Sequence, residues 1–159
     1  FLAALITGIT ATLVMDGWSV LRQRAFAIAA PNYGLVGRWI LYMRHGQFRH
    51  NPITQSAPVA GETVSGWLAH YLIGIAFASL VLATGGLAWI ELPTAGLPIL
   101  IGLVTVAAPF LLMQPGMGAG IAASRTPAPN KARLQSLLNH GVFGVGLYIG
   151  GWASHLILY

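Results

Sequence analysis

The stretch GWLAHYLIGIAFASLVLA, residues 66–83, is an apolar run of membrane length with His70 near its start. A hydrocarbon core about 30 Å thick is crossed by roughly 20 apolar residues in a helix. The stretch therefore predicts a membrane-spanning helix that carries a histidine. A related pattern follows later, because Leu-x-His-x-x-x-Gly occurs at residues 68–74 and again at residues 138–144.

The composition extends this prediction to the whole chain. Among 159 residues, 56% are hydrophobic and only 7% are charged, whereas soluble domains contain about 25% charged residues. Four apolar runs are long enough to cross a bilayer, and they predict spans at about residues 2–22, 63–86, 96–122 and 134–157. We therefore expect a single all-α membrane domain over residues 1–159, built from four transmembrane helices.

The basic residues predict the orientation of these spans. Five arginines separate the first and second spans, and three further basic residues separate the third and fourth. The loop between the second and third spans has no Lys or Arg, and its only charged residue is Glu91. The positive-inside rule then places both basic loops in the cytoplasm and both termini in the periplasm. This topology explains the net charge of +5, so the lipid bilayer is the expected partner and nucleic-acid binding is not expected. The absence of cysteine excludes disulfides and thiolate metal sites.

The first cytoplasmic loop contains an amphipathic segment and a basic cluster. Leu35, Trp39 and Met43 recur every four residues, a spacing that predicts a short helix lying in the membrane interface. An Arg-His pattern follows this segment, and arginine offers a planar fork that matches phosphate and carboxylate groups. The candidate residues for binding an anion are Arg44, His45, Arg49, His50 and Arg125. The alternative is that they are solvated and contact anionic lipid headgroups.

Each predicted span contains one notable polar side chain. These residues are Asp16, His70, Gln114 and His140. At about 1.5 Å of rise per helical residue, they lie roughly 9 to 16 Å from the predicted cytoplasmic ends. Because an ionisable group inside a bilayer usually faces the protein interior, we expect them to form one polar intramembrane site. The alternative is that each bonds to a neighbouring helix and only stabilises the bundle.

The same residues belong to a weak internal repeat. Shifted by 98 positions, the first span and its following loop match the third, which sets Asp16 opposite Gln114. Shifted by 70 positions, His70 falls opposite His140. These matches predict two helical hairpins of the same orientation, related by an axis along the membrane normal. Many of the matching residues are Leu, Ala or Gly, so chance is the competing explanation.

Several segments carry a resemblance to a known family. They are GRWILYM, GQFRH, GWLAHYLIGIAFA, GLVTVAAPFLLMQPGMGAGIAASRTPAPN and NHGVFGVGLY. Together they resemble a bacterial family of multi-pass membrane proteins that is catalogued only as a domain of unknown function. The resemblance covers nearly the whole chain. It implies a location in the bacterial inner membrane and supplies no activity.

Three classes of function fit the polar residues. In the first, Asp16, His70 and His140 serve proton-linked or small-molecule transport, since histidine titrates near neutral pH. In the second, His70 and His140 bind a transition metal or the iron of haem b. In the third, the protein is an accessory or assembly subunit of a larger membrane complex. The expected protein partners are a second copy in a homodimer, which a carrier of only four spans would need, or such a complex. An enzyme is less favoured, because the chain has no phosphate-binding glycine loop, HExxH motif or nucleophile elbow.

Overall fold

Helices are the structure expected for these spans, because the bilayer core offers no water to satisfy backbone N–H and C=O groups. The computed structural model describes residues 1–159 and contains helices without any strand. The α-helices are α1 (Leu2–Phe26), α2 (Tyr33–Met43), α3 (Glu62–Glu91), α4 (Gly96–Val104), α5 (Gln114–Gly116) and α6 (Pro129–Leu158). The remaining helical segments are a π-helix at Pro109–Met113 and 3-10 turns at Ile53–Gln55 and Ile121–Ala123.

Four helical segments are long and apolar enough to cross a membrane. They are Leu2–Phe26, Glu62–Glu91, Gly96–Gly116 and Pro129–Leu158. The predicted all-α fold with four transmembrane helices is therefore confirmed, and the chain is a multi-pass membrane protein. The short helix expected in the first loop is observed as α2, whereas its position in the membrane interface stays a prediction.

The third span is interrupted where the sequence contains several prolines. Helix α4 ends at Val104, the π-helical segment begins at Pro109, and α5 ends at Gly116. The chain then unwinds, with Gly118 at φ 92° and Gly120 at φ 76°. Glycine adopts such angles without steric strain, so the helix ends here and does not continue to residue 122, the end that apolar composition predicts.

Contacts group the chain into two compact units. The first unit comprises Phe1–Pro31, Tyr71–Thr105 and Leu137–Tyr159, and the second comprises Asn32–His70 and Val106–Ser136. Helices α3 and α6 each contribute residues to both units. The single domain indicated by the sequence stays a prediction.

Small residues let the helices of the first unit approach closely. A Cβ on Gly8 of α1 would lie 2.5 Å from the Cα of Ile75 in α3. On α6, a Cβ on Gly150 would lie 2.6 Å from the carbonyl oxygen of Thr7 in α1. The hydroxyl oxygens of Thr7 and Ser154 are 2.9 Å apart, so a buried hydrogen bond also joins α1 to α6. Such packing and hydrogen bonding drive helix association in lipid, where the hydrophobic effect between spans is absent.

The glycines of the two histidine motifs also lie at close helix contacts. A Cβ on Gly74 of α3 would overlap the side chain of Thr12 in α1. A Cβ on Gly144 of α6 would lie 2.8 Å from the Cα of Ile99 in α4. In each predicted hairpin, the motif glycine therefore allows the later helix to pack on the earlier one. The internal repeat itself stays a prediction.

In the second unit, α2 packs against the first turns of α3. A Cβ on Gly37 would overlap the carbonyl oxygen of Glu62, and a Cβ on Gly66 would overlap that of Tyr33. The buried Arg38 donates from Nε and Nη2 to the two Glu62 carboxylate oxygens, at 2.7 and 2.8 Å. These hydrogen bonds raise the pKa of the Arg38 guanidinium above its ordinary value. The bidentate geometry fixes the orientation of α2 on α3.

We expect Gly8→Ala to destabilise the first unit. The added methyl group meets the backbone of α3, and overpacking of this kind costs about 1–3 kcal/mol. Gly17→Ala in the same helix is the matched control, because nothing lies within 4 Å of the position its Cβ would take. Thermal unfolding in detergent should show a lower midpoint for Gly8→Ala alone. Equal midpoints for the two variants would contradict the close contact between α1 and α3.

Candidate functional site

The intramembrane carboxyl group has a partner in the first unit. The Tyr71 hydroxyl of α3 donates a hydrogen bond to Asp16 Oδ2 of α1 at 3.0 Å. Both side chains are half-buried. Tyr71 directly follows His70 and lies within the first histidine motif, residues 68–74. The partner of Asp16 in this motif is therefore the tyrosine.

His140, also in the first unit, is held through one ring nitrogen. Its Nδ1 lies 3.2 Å from the carbonyl oxygen of Gly102 and 3.1 Å from the hydroxyl of Thr105. The Thr105 hydroxyl itself donates to the Gly102 carbonyl oxygen at 2.7 Å. A carbonyl oxygen only accepts, so these contacts favour the tautomer with the proton on Nδ1 and a lone pair on Nε2. That nitrogen has the form that binds a proton or a metal ion.

The other two predicted residues have partners in the second unit. The imidazole of His70 stacks on the ring of Tyr33 at 4.0 Å between centroids and lies edge-on to Trp67 at 5.8 Å. Gln114 Nε2 donates to the Ser136 hydroxyl at 3.4 Å, while the buried Oε1 of Gln114 has no hydrogen-bond partner. That the four intramembrane residues form one site stays a prediction.

Metal binding was predicted at His70 and His140. The chain contains no cluster of three or more His, Cys, Asp or Glu side chains that could hold a metal ion. Ligation of haem iron needs only two histidines. The haem and metal hypotheses therefore stay predictions. The feature that they use is the lone pair of His140 Nε2, which can coordinate a metal ion.

A cavity of about 760 Å³ lies in the second unit. Its walls are the loop that follows α2 and the chain around and after α5. The residues that line it are Gln47, Arg49, His50, Asn51, Pro52, Gln55, Ser56, Pro115, Gly120, Ile121, Ser124 and Arg125. Two arginines and one histidine are present among them without any Asp or Glu, so the charged side chains of the lining are all basic. We call it the basic pocket.

Backbone hydrogen bonds join the first wall of the basic pocket to the end of the third span. The His50 N–H donates to the carbonyl oxygen of Gly116 at 2.8 Å, and the Ile53 N–H donates to that of Met117 at 3.0 Å. Gly118 permits this approach, because a Cβ there would lie 2.6 Å from the carbonyl oxygen of His50. The loop thus satisfies carbonyl groups that the ended helix leaves without intrahelical partners.

The second wall of the basic pocket contains strained backbone. Ala122 and Ala123 adopt left-handed conformations, with φ of 47° and 59°. Residues with a Cβ pay roughly 1–2 kcal/mol each for this conformation, and such strain concentrates at functional sites. The turn is held by Arg133, whose Nε donates to the Ala122 carbonyl oxygen at 2.8 Å, and by Thr126, whose hydroxyl donates to that of Ala123 at 2.8 Å.

His50 is the most enclosed of the basic side chains in this pocket, with 7% of its surface exposed. Its Nδ1 lies 2.7 Å from the Ser56 hydroxyl and 3.4 Å from Gln47 Nε2. Because the Gln47 amide nitrogen only donates, we assign the tautomer in which Nδ1 accepts and Nε2 carries the proton. The buried Nε2 has no partner in the protein. A buried donor without an acceptor is uncommon, and an anion oxygen would satisfy it.

The structure separates the predicted anion-binding residues into two groups. Arg49, His50 and Arg125 line the basic pocket, although more than 70 residues separate the first two from the third. Arg44 and His45 lie just after α2, outside the pocket lining, and they are exposed, as Arg49 and Arg125 also are. Only Arg49, His50 and Arg125 therefore share a cavity, and anion binding by the five residues stays a prediction.

Family comparison covers most of the chain. A family model described as "Protein of unknown function (DUF2938)" matches residues 5–154. The chain belongs to the DUF2938 family. This confirms the resemblance found in the sequence, and the family description adds no activity. No curated protein and no solved structure matches the chain.

In this DUF2938 protein, the sequence predicted the ionisable residues better than their partners. Tyr71 and Thr105 were not expected as partners of Asp16 and His140, because neither lies at a spacing that is diagnostic of a site. Arg22 is an orientation signal in the sequence and also the alternative partner of Asp16, whereas the hydrogen bond to Asp16 described above comes from Tyr71. Arg22 is 4% exposed, its guanidinium lies 5.9 Å from the centre of the Trp18 ring, and its Nε has no hydrogen-bond partner. Spacing along α1 places residues 18 and 22 on one face, which is the signal available for this pair.

Proposed function

We propose that this DUF2938 protein is a membrane protein that binds a small molecule bearing a phosphate or carboxylate group in the basic pocket. The observation that carries the proposal is the meeting of Arg49, His50 and Arg125 at one cavity whose lining includes no acidic residue. The sequence hypothesis placed small-molecule transport at Asp16, His70 and His140, and this proposal instead places the ligand in the basic pocket. Transport of the bound anion is the activity that this proposal favours.

The chemistry of the lining supports an anion over a neutral or cationic ligand. Arginine remains charged at any physiological pH and donates two parallel hydrogen bonds to a phosphate or carboxylate. The Nε2 proton of His50 adds a donor that is already desolvated, so binding leaves no new polar group unsatisfied. A cation would meet two like charges and no carboxylate.

We expect the double variant Arg49→Gln, Arg125→Gln to bind anions at least about tenfold more weakly, because it loses two charged hydrogen-bond donors. Isothermal titration of the detergent-purified protein with inorganic phosphate and with succinate measures this change. Arg44→Gln is the matched control, since it removes one exposed arginine outside the pocket lining. The same weak binding in the native protein and in the double variant would refute the pocket as the anion site.

Proton-linked transport is a second candidate, favoured by the ionisable groups in the first unit. Asp16 accepts a hydrogen bond from Tyr71, and the Nδ1 contacts of His140 leave a lone pair on its Nε2. Ionisable groups within spans are costly to insert and commonly serve proton paths. This candidate includes the sequence prediction that His70 and Gln114 form one polar intramembrane site with Asp16 and His140.

For the proton-linked candidate, we expect Asp16→Asn to slow proton entry into liposomes under an imposed pH gradient by several-fold or more, because the asparagine amide does not ionise. The pH-sensitive fluorescence of a trapped dye measures the rate. Glu91→Gln is the matched control, because Glu91 is an exposed carboxylate at the end of α3. Equal rates for native protein, both variants and empty liposomes would remove this candidate.

The accessory-subunit and haem hypotheses make different predictions for the same preparation. A subunit of a larger complex co-purifies with that complex, and a protein that binds haem b absorbs strongly in the visible range. Either result would replace the anion-binding proposal as the main function if the titrations also showed no binding.

We also propose a bacterial inner-membrane location with both basic loops in the cytoplasm. The chain contains no cysteine, so single cysteines report topology without background labelling. In intact cells, an impermeant maleimide should label Thr94→Cys in the loop between α3 and α4. It should label Ala60→Cys, in the loop before α3, only after permeabilisation, and the reverse pattern would invert the proposed orientation.

A further inference from the structure

The basic pocket lies at the end of a membrane span. Its loop wall is joined to the span through the His50 N–H, which donates to the carbonyl oxygen of Gly116 at 2.8 Å. Gly116 is the last residue of the apolar segment Gly96–Gly116, and Pro115 of that segment lines the pocket. The ends of transmembrane helices meet the headgroup region of the bilayer. The pocket is therefore at the depth where lipid phosphates are concentrated.

Apolar side chains accompany the basic ones at this depth. Ile121 lines the pocket with 62% of its surface exposed, and Phe48, which precedes Arg49, is 59% exposed. Exposed apolar groups beside charged ones are unfavourable in water, whereas they gain contact with acyl chains at a membrane surface. An amphiphile satisfies both kinds of side chain, and a free inorganic anion satisfies only the charged ones.

The charges of the lining distinguish between lipid classes. The chain contains three acidic residues, Asp16, Glu62 and Glu91, and none of them lines the pocket. Glu62 is already engaged in the bidentate pair with Arg38. A zwitterionic headgroup would bring an ammonium group toward two arginines without a carboxylate to pair with it. The pocket therefore favours a headgroup that carries negative charge alone.

We infer that the basic pocket binds the phosphate group of an anionic phospholipid. Arg49 and Arg125 pair with the phosphate oxygens, and His50 Nε2 donates to a phosphate oxygen or to a hydroxyl of the headgroup. Ile121 and Phe48 contact the apolar part of the same lipid. This inference rests on the proposed anion-binding function and names the source of the anion as the membrane itself.

Lipid titration of the delipidated, detergent-purified protein tests the inference. Native mass spectrometry should show bound dioleoyl-phosphatidylglycerol at roughly tenfold or greater preference over dioleoyl-phosphatidylcholine, because only the former brings net negative charge. Inorganic phosphate should compete poorly with the phosphatidylglycerol, since it lacks the acyl chains that contact the apolar side chains.

Three variants separate a built site from general attraction between charges. Arg49→Gln, Arg125→Gln should lose the preference for phosphatidylglycerol, and Arg44→Gln should keep it. Ser124→Asp places a negative charge in the exposed part of the lining and should also lose the preference for phosphatidylglycerol. This variant tests the site independently if the double variant fails to fold. A native-like elution volume and unfolding midpoint check the fold of each variant.

The other outcomes overturn the inference in distinguishable ways. An equal loss in Arg44→Gln and in the double variant would mean diffuse electrostatic attraction in place of a lipid site. Binding of inorganic phosphate with no preference between the two lipids would overturn the lipid inference and leave the proposed anion-binding function standing. Binding of neither phosphate nor phosphatidylglycerol would overturn both.

Discussion

The backbone hydrogen bonds at the end of the third span are the interactions on which the candidate site depends. A helix that ends leaves its last carbonyl groups without intrahelical partners, and such groups are costly when they are buried without a hydrogen bond. The N–H groups of His50 and Ile53 satisfy those of Gly116 and Met117. The same bonds bring Arg49 and His50 to the segment that carries Arg125. These backbone hydrogen bonds thus bring the two walls of the basic pocket together.

In the first unit, close contact between helices positions the polar side chains. Gly8, Gly74 and Gly144 each lie where a Cβ would meet a neighbouring helix. Packing at this distance also brings polar groups into hydrogen-bonding range, as the bonds from Tyr71 to Asp16 and from His140 to Gly102 illustrate. In lipid, such bonds contribute modestly to helix association and strongly to the orientation of the side chains involved. An oriented ionisable group is what a proton path requires.

Some of the few charged residues have clear structural partners, and others have none in the protein. Arg38 and Glu62 neutralise each other and fix α2 on α3, and Arg133 holds the strained turn at Ala122. Arg49 and Arg125 have no acidic partner in the pocket lining. In a chain with only 7% charged residues, two exposed arginines and a buried imidazole nitrogen without a partner meet at one cavity, and the anion-binding proposal rests on that observation.

The sequence by itself determined the four spans, the α2 helix and the types of side chain available for chemistry. Span length and helical periodicity are properties of a continuous stretch, so the run around His70 is sufficient to predict its helix. Only the tertiary structure decided that Arg49 and His50 share a cavity with Arg125 while Arg44 does not, and that Tyr71 is the partner of Asp16. These outcomes depend on where the third span unwinds and on which helix faces meet. Both are set by contacts between residues far apart in the chain, which no local pattern encodes.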